Sequence, residues 1–275
     1  MQNIMDRFSM KGKSVIVTGG AGLLGKQFSL TLAQAGAQVM VADLNLTLAQ
    51  QQAGAIITEG LDAEACVVNV TEPASTKAMV NATLEKFGRL DVLINCAALD
   101  PKFDLEHQES QSDNAFENYS WEAWQASLNV NLGGAFLASQ AAVQPMLSQG
   151  QGVIINICST YGLVGPDQRI YPCAEDGTYR YKPVDYTVTK AGILGLTHYL
   201  AAYYAGKNIR VNALSPGGVY IDHDENFVKN YSARTILGRM AHLDEMNGAI
   251  LFLASDASSY MTGANLIVDG GWTAW

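Results

Sequence analysis

Ser14-Val15-Ile16-Val17-Thr18-Gly19-Gly20-Ala21-Gly22-Leu23-Leu24-Gly25 is a β-branched run broken by glycines. Helical periodicity follows from Leu23 to Ala35, where Gly36 ends it. The order is strand, glycine turn, helix, which is the context that gives a G-x-G-x-x-G match at Gly20, Gly22 and Gly25 its value. Gly20 is expected to permit the tight turn, Gly22 to let the backbone approach a pyrophosphate, and Gly25 to let the helix pack on the strand. The N–H groups at the helix N-terminus, Leu23 and Leu24 among them, would face the phosphates. A glycine-rich turn that binds nothing remains the competing explanation of this stretch alone.

The same alternation recurs outward from the turn. Strands are predicted at 38–43, 65–70, 92–95, 153–157, 210–214 and 266–268. Helices are predicted at 46–53, 73–87, 121–147, 185–204 and 244–254. Strands separated by helices imply right-handed βαβ crossovers and a parallel sheet. Seven strands and about six helices, with no Pro/Ser-rich linker among 275 residues, fit one doubly wound Rossmann-type α/β domain. Irregular stretches at 100–120 and 165–183, together with 217–240, fall where such sheets bind ligands and are expected to be substrate loops.

Composition removes several classes. Hydrophobic residues make up 48% and charged residues 16%, so the chain can bury enough apolar surface to fold. A net charge of −9 offers no positive field for a polyanion, so nucleic acid is not an expected partner. No apolar stretch approaches the length of a membrane span, and residues 1–13 do not resemble a signal peptide. Cys66, Cys96, Cys158 and Cys173 lack paired spacing, and the four histidines show no ligand-like spacing. Neither a disulfide framework nor a metal site is expected, and a reducing cytoplasm is the expected compartment.

Asp43 ends the second strand about 20 residues beyond the glycines, where a carboxylate can accept from both adenosine ribose hydroxyls. No Lys or Arg lies between Lys26 and Lys77 to neutralise a 2′-phosphate, which favours NAD(H) over NADP(H). An ordinary turn aspartate is the alternative. Tyr186 and Lys190 share one helix face. An adjacent ammonium favours phenolate and would move the phenol toward a useful base.

With these residues on the page, the chain resembles the short-chain dehydrogenase/reductases from Lys13 to Trp275. The resemblance rests on Thr18 to Gly25, Asn95-Cys96-Ala97-Ala98, Val130-Asn131-Leu132, Ile157-Cys158-Ser159, Tyr186-Thr187-Val188-Thr189-Lys190, Pro216-Gly217 and Asp269-Gly270-Gly271, in that order. It implies that Tyr186 is the general acid/base, that Ser159 hydrogen-bonds the substrate oxygen, and that Lys190 binds the nicotinamide ribose and lowers the phenol's pKa. It implies further that Asn131 holds a water linking Lys190 to solvent. Hydride would pass between a secondary alcohol and the nicotinamide of NAD. The implied cofactor contacts are Gly19, Gly22, Leu23, Leu24, Gly25, Asp43, Asn69, Val70, Asn95, Ala97, Tyr186, Lys190, Pro216, Gly217 and Val219.

Departures from the family pattern are informative. The Gly19-x-x-Gly22-x-x-Gly25 spacing is more usual in the longer, sugar-nucleotide-modifying branch, and suggests an epimerase or dehydratase that recycles NAD. Asn69 stands where an aspartate is usual, and its carbonyl oxygen is expected to accept from adenine. Ile221 replaces a threonine, leaving backbone groups of Val219 or Ile221 to hold the carboxamide. A catalytically silent dinucleotide sensor is a further alternative, which the retained Asn131, Ser159, Tyr186 and Lys190 oppose.

Ser159 and Tyr186 are 27 positions apart, about twice the family's habit, and the surplus lies in 166–183. Its charged and phenolic residues suit hydroxyl or anion recognition, unless the loop serves only to cover a subunit. Arg169 or Arg180 is expected to meet an anion, with Tyr171 and His223 as further substrate contacts and the segment around His223 as a lid. The 159–162 and 166–171 runs and the ending resemble a subgroup linked to sugar and flagellin-glycan precursors, implying a polyol, sugar, sugar acid or sugar phosphate. The helices over 121–147 and 185–204 carry apolar positions beyond one face, and the resemblance implies that such helices pair across two-fold axes into a homotetramer, with the tail from Trp272 to Trp275 at an interface or near a neighbour's site.

Overall fold

A computed structural model describes residues 3–100, 114–171 and 181–275. Seven parallel strands form one sheet in the order β3-β2-β1-β4-β5-β6-β7. They are β1 (Ser14–Thr18), β2 (Gln38–Asp43), β3 (Ala63–Val67), β4 (Val92–Asn95), β5 (Gly152–Ile157), β6 (Ile209–Pro216) and β7 (Asn265–Val268). All five residues of β1 are buried, because a central parallel strand is covered on both faces. Val15 and Val17 point into one core with Phe28, Leu32, Ile250 and Leu253, while Ile16 points into the other with Met79, Ala138, Ala142 and Met146. The two-residue side-chain period of a strand produces this division.

The first core lies under α1 (Leu23–Gln34), α2 (Leu46–Thr58) and α8 (Asn247–Ala254). The second lies under α3 (Pro73–Phe87), α5 (Gly134–Gln149) and α6 (Val184–Tyr203). Pro73 opens α3, where its missing N–H costs nothing, and Gly88 closes it in the left-handed conformation at φ 77°. Two short helices complete the set, α4 (Trp121–Ser127) and α7 (Glu225–Ser232).

Three expectations change. The third strand runs from Ala63 to Val67, not from 65 to 70, since its pairing with β2 stops at Asp43–Val67. The helix expected over 121–147 is interrupted by a π turn at Leu128–Gly133, which places Asn131 on the inside of the irregularity. Helix α7 was not anticipated, because it lies within a segment read as loop. Strand order reverses between β1 and β4, where Thr18 pairs with Asn95, and it is at the carboxyl ends of such a reversal that a crevice opens for a ligand. Among the described residues, no helix is long and apolar enough to cross a membrane and no cluster of His, Cys, Asp and Glu could hold a metal. Cys66, Cys96 and Cys158 are free thiols. Cys173, Arg180 and most of the expected loops at 100–120 and 165–183 lie outside the described residues.

Candidate active site

The glycine turn closes over the switch point. Gly19, not Gly20, carries the left-handed backbone, at φ 64°. A Cβ on Gly19 would stand 2.8 Å from Ala97 Cα, and one on Gly25 would stand 2.0 Å from the Gly19 carbonyl oxygen. Both positions therefore need glycine for packing. At Gly22 the same atom would meet only the Gly19 oxygen, at 3.1 Å, so the cradle is open there. Gly22 is also the N-cap of α1 and supplies no side-chain hydrogen bond, which leaves the helix N-terminus without a capping side chain. An open glycine before an uncapped helix fits the diphosphate of a dinucleotide.

Asp43 stands at the edge of this cradle. One carboxylate oxygen accepts from the Ala21 N–H at 3.1 Å and the other from the Asn45 N–H at 3.0 Å. Each oxygen keeps a further lone pair, so the turn-forming and ribose-binding roles are compatible. Asn69 is differently placed. Its carbonyl oxygen accepts from both the N–H and the hydroxyl of Thr71, and its amide donates to Glu72 at 2.8 Å. The amide thus shapes a local turn beside the buried Val70.

Asn95 is buried in a polar chain. Its amide donates to Ser139 at 3.0 Å and to Asn156 at 2.8 Å, and Asn156 donates to Thr197 at 2.9 Å. These bonds tie β4 and β5 to α5 and α6, so the side chain of Asn95 is a strut. Ala97 reaches the cradle through its backbone, whose N–H donates to Thr18 Oγ1. Gly217 follows β6 and abuts Asp269, where a Cβ would meet the backbone at 2.8 Å. Val219 pairs with Ala241 in an isolated bridge. The Ile221 N–H donates to His223 Nδ1 at 3.2 Å, so of the two backbone groups expected to hold a carboxamide, that of Ile221 is engaged.

Ser159, Tyr186, Lys190 and Asn131 come together. Ser159 follows β5 and accepts from the Tyr161 N–H at 3.2 Å, and its hydroxyl lies near enough to the Tyr186 phenol to favour the phenolate. Lys190, one turn beyond Tyr186 on α6, donates from Nζ to the Ile157 carbonyl at 2.9 Å. Asn131 grips the backbone of Leu99 on both sides, accepting from its N–H at 2.6 Å and donating to its carbonyl at 3.0 Å, and donates to Thr189 at 3.2 Å. It thereby locks the chain after β4 to α6.

Burial decides the electrostatics of this group. It pushes the Tyr186 phenol well above its ordinary value; the Asp100 carboxylate adds to this and the Ser159 hydrogen bond opposes it. Burial also pushes the Lys190 ammonium down, against the nearby thiols and Asp100. Lys190 stands 5.6 Å from the centre of the Tyr186 ring, and in the protein alone burial is the largest influence on the phenol.

Beside Tyr186 stands an aromatic wall. Tyr161, Ile170, Tyr171, Tyr231, Met240 and Trp272 form a buried cluster against which Tyr186, Phe227 and Val228 pack. Tyr171 stacks on Phe227 at 5.4 Å and donates to the Tyr161 hydroxyl at 3.0 Å, and His223 lies 5.2 Å from Phe227. Trp272 stacks on Tyr231 at 4.3 Å within its own chain, while Ala274 and Trp275 are exposed, which places Trp272 in its own protomer's wall and not, as expected of the whole tail, at a neighbour. Arg169 is not brought to the wall: its side chain is 86% exposed and its guanidinium is paired with Asp167. Sequence reasoning counted Lys182 only among the charged residues of the 166–183 insertion and passed over Asp100, and the two pair with each other beside Tyr186. Tyr161, two residues beyond Ser159, was also passed over.

Comparison with known proteins bears on this arrangement. A family profile described as Enoyl-(Acyl carrier protein) reductase matches residues 20–273. The 3-oxoacyl-[acyl-carrier-protein] reductase FabG of Thermotoga maritima is 35% identical over 272 residues, covering 95% of this chain and 98% of the relative. D-threitol dehydrogenase of Mycolicibacterium smegmatis is 31% identical, over 97% and 95% of the two chains. Among solved structures, a gluconate 5-dehydrogenase from Burkholderia cenocepacia in complex with NADP and tartrate superposes with a TM-score of 0.85 at 30% identity. That alignment covers 99% of this chain and all of the other.

Proposed function

This chain belongs to the short-chain dehydrogenase/reductase family of oxidoreductases, and we propose that it is an NAD(H)-dependent enzyme interconverting a secondary alcohol and a ketone on a polyol, sugar, sugar acid or sugar phosphate. The observation that carries the reading is the convergence of Ser159, Tyr186 and Lys190 beside the glycine cradle. Gly19, Gly22 and Gly25, the N-terminus of α1 and Asp43 would hold the dinucleotide, with Lys190 at the nicotinamide ribose. When bound, the nicotinamide supplies the hydride acceptor or donor.

Tyr186 donates its phenolic proton to a carbonyl oxygen in reduction and recovers it from the carbinol in oxidation. Ser159 donates to the same substrate oxygen and keeps it over the phenol. Lys190, held by the Ile157 carbonyl, supplies the positive charge needed by a transient phenolate. Asn131 fixes Leu99 against α6 and so keeps that lysine's helix in register.

The preference for NAD(H) rests on Asp43. A 2′-phosphate would meet this carboxylate next to Leu44, which is 71% exposed and carries no charge. The gluconate 5-dehydrogenase relative was solved with NADP, so the two cofactors have to be compared directly. Its name and that of the threitol enzyme support a hydroxylated substrate. We propose in addition one domain with its substrate loops at 100–120, 165–183 and 217–240, a cytoplasmic location and a homotetramer. The exposed Phe136, Tyr199 and Tyr203 on α5 and α6 support the last of these.

The test is incubation with NAD or NADP and a panel of polyols, sugar acids, free sugars and sugar phosphates, following reduced nicotinamide beside a Tyr186→Phe control. Turnover absent from the control is the expected result. Cofactor binding without turnover would favour a silent sensor, and conversion without net NADH an epimerase or dehydratase.

A further inference from the structure

We infer that Lys182 and Asp100 form a second polar grip on the substrate, selecting compounds with a hydroxyl on the carbon beside the reacting one. The inference rests on the alcohol-oxidising reading above and narrows its substrate class.

The Lys182 ammonium pairs with the Asp100 carboxylate and stands 4.0 Å from the centre of the Tyr186 ring. The lysine side chain is 10% exposed and the aspartate side chain 45%, so the pair sits at a mouth, with its cation turned inward and its anion partly open. Gln168 fixes the lysine's backbone from both sides, accepting from its N–H at 2.9 Å and donating to its carbonyl at 2.9 Å. The charge of Asp100 bears on Tyr161, Tyr171, Tyr186 and Lys190, in keeping with its pairing to the cation that stands over the Tyr186 ring.

A charged pair is out of keeping with its surroundings. The wall next to it is aromatic and aliphatic. Arg234 lies over Trp272 of this wall and is paired with Asp167. An ion pair in such a place contributes little to folding, since desolvation cancels most of the attraction. It does, however, present a donor and an acceptor side by side. That is the complement of a hydroxyl, which accepts through its oxygen and donates through its hydrogen. With the carbinol oxygen between Ser159 and Tyr186, the neighbouring carbon of the substrate lies along the phenol face that Lys182 covers. A substrate with a lone hydroxyl would leave the pair unsatisfied and partly desolvated, which is how a polar site rejects an apolar analogue.

The experiment measures kcat/KM for D-threitol, gluconate and cyclohexanol in the wild type, Lys182→Met, Asp100→Asn and Tyr186→Phe proteins, with thermal melts to check folding. The expected result is a wild-type preference for threitol or gluconate over cyclohexanol. Lys182→Met should then lose at least tenfold more kcat/KM on the polyhydroxylated probe than on cyclohexanol, mostly through KM, and Asp100→Asn should lose in the same sense. Equal loss on both kinds of alcohol would overturn the inference and make Lys182 a group that acts only through the phenol. A wild-type preference for cyclohexanol would overturn it as well. If no probe gives a Tyr186-dependent signal, the alcohol-oxidising reading fails on its own. The grip is then judged by threitol-induced thermal stabilisation of the protein with NAD: stabilisation lost in Lys182→Met sustains it, and absence of stabilisation in the wild type overturns it.

Discussion

The Lys190 ammonium stands 5.6 Å from the centre of the Tyr186 ring, and both groups are displaced by burial toward their uncharged forms. The protein alone therefore holds a protonated phenol, the form that reduction needs. Oxidation needs the phenolate, so its kcat/KM should rise with pH across the neutral and mildly alkaline range, while that of reduction, which uses the protonated phenol, should stay flat over the same range. Tyr186→Phe should lower kcat in both directions by about a hundredfold to ten-thousandfold, the usual worth of a positioned acid or base. Initial rates between pH 6 and 10, with cofactor binding measured separately, check both statements.

Asp43 accepts from the Ala21 N–H, and the proposed preference for NAD(H) requires its carboxylate to repel a 2′-phosphate there. Replacing it by serine should weaken NAD(H) binding by about tenfold or more, the worth of hydrogen bonds to a charged acceptor. The same change should improve NADP(H) binding, and adding Leu44→Arg should improve it further. Fluorescence titration with each reduced cofactor measures the two trends, and unchanged discrimination would remove Asp43 from the selection.

Gly25→Ala would set a methyl group 2.0 Å from the Gly19 carbonyl, a backbone atom that yields only if the turn moves. The expected outcome is a loss of about 1–3 kcal/mol in stability, as for other overpacked sites, together with loss of cofactor binding. Denaturant melts with and without NAD separate these effects. The ligand-induced shift should vanish even under conditions where the variant is folded.

Burial raises Tyr161 to about 12 and also raises Tyr171, Tyr186 and Tyr231. In the unfolded chain a tyrosine ionises near pH 10. The native state then binds more protons above that value, so this contribution to stability is complete below about pH 10 and is lost as pH rises through about 12. Tyrosinate absorbance should reveal a late, cooperative fraction that appears together with unfolding, and its gradual appearance in folded protein would contradict the cluster's burial.

The β1 turn and the Tyr186/Lys190 pair were legible in the sequence because each lies within one local period: a β-branched run before glycines, and a four-residue helical spacing. The shift of β3 was not, since Val68 and Val70 are as apolar and as buried as a strand would make them, though the pairing with β2 has already ended. The π turn around Asn131 leaves the apolar periodicity on either side intact, and so it is silent in a helical pattern. Asp100 and Lys182 meet only through the tertiary fold, across 82 positions of sequence. Arg169 looked suited to an anion, but Asp167 two residues earlier was the anion it found.

Trp272 closes the wall that Tyr161, Tyr171 and Tyr231 begin, and it lies beyond β7 at the far edge of the sheet. Every ring that Trp272 meets there stands earlier in the chain. Removing its indole would bare one face of Tyr231 and one edge of Tyr161 together, so a single change at this position opens the wall at two of its rings.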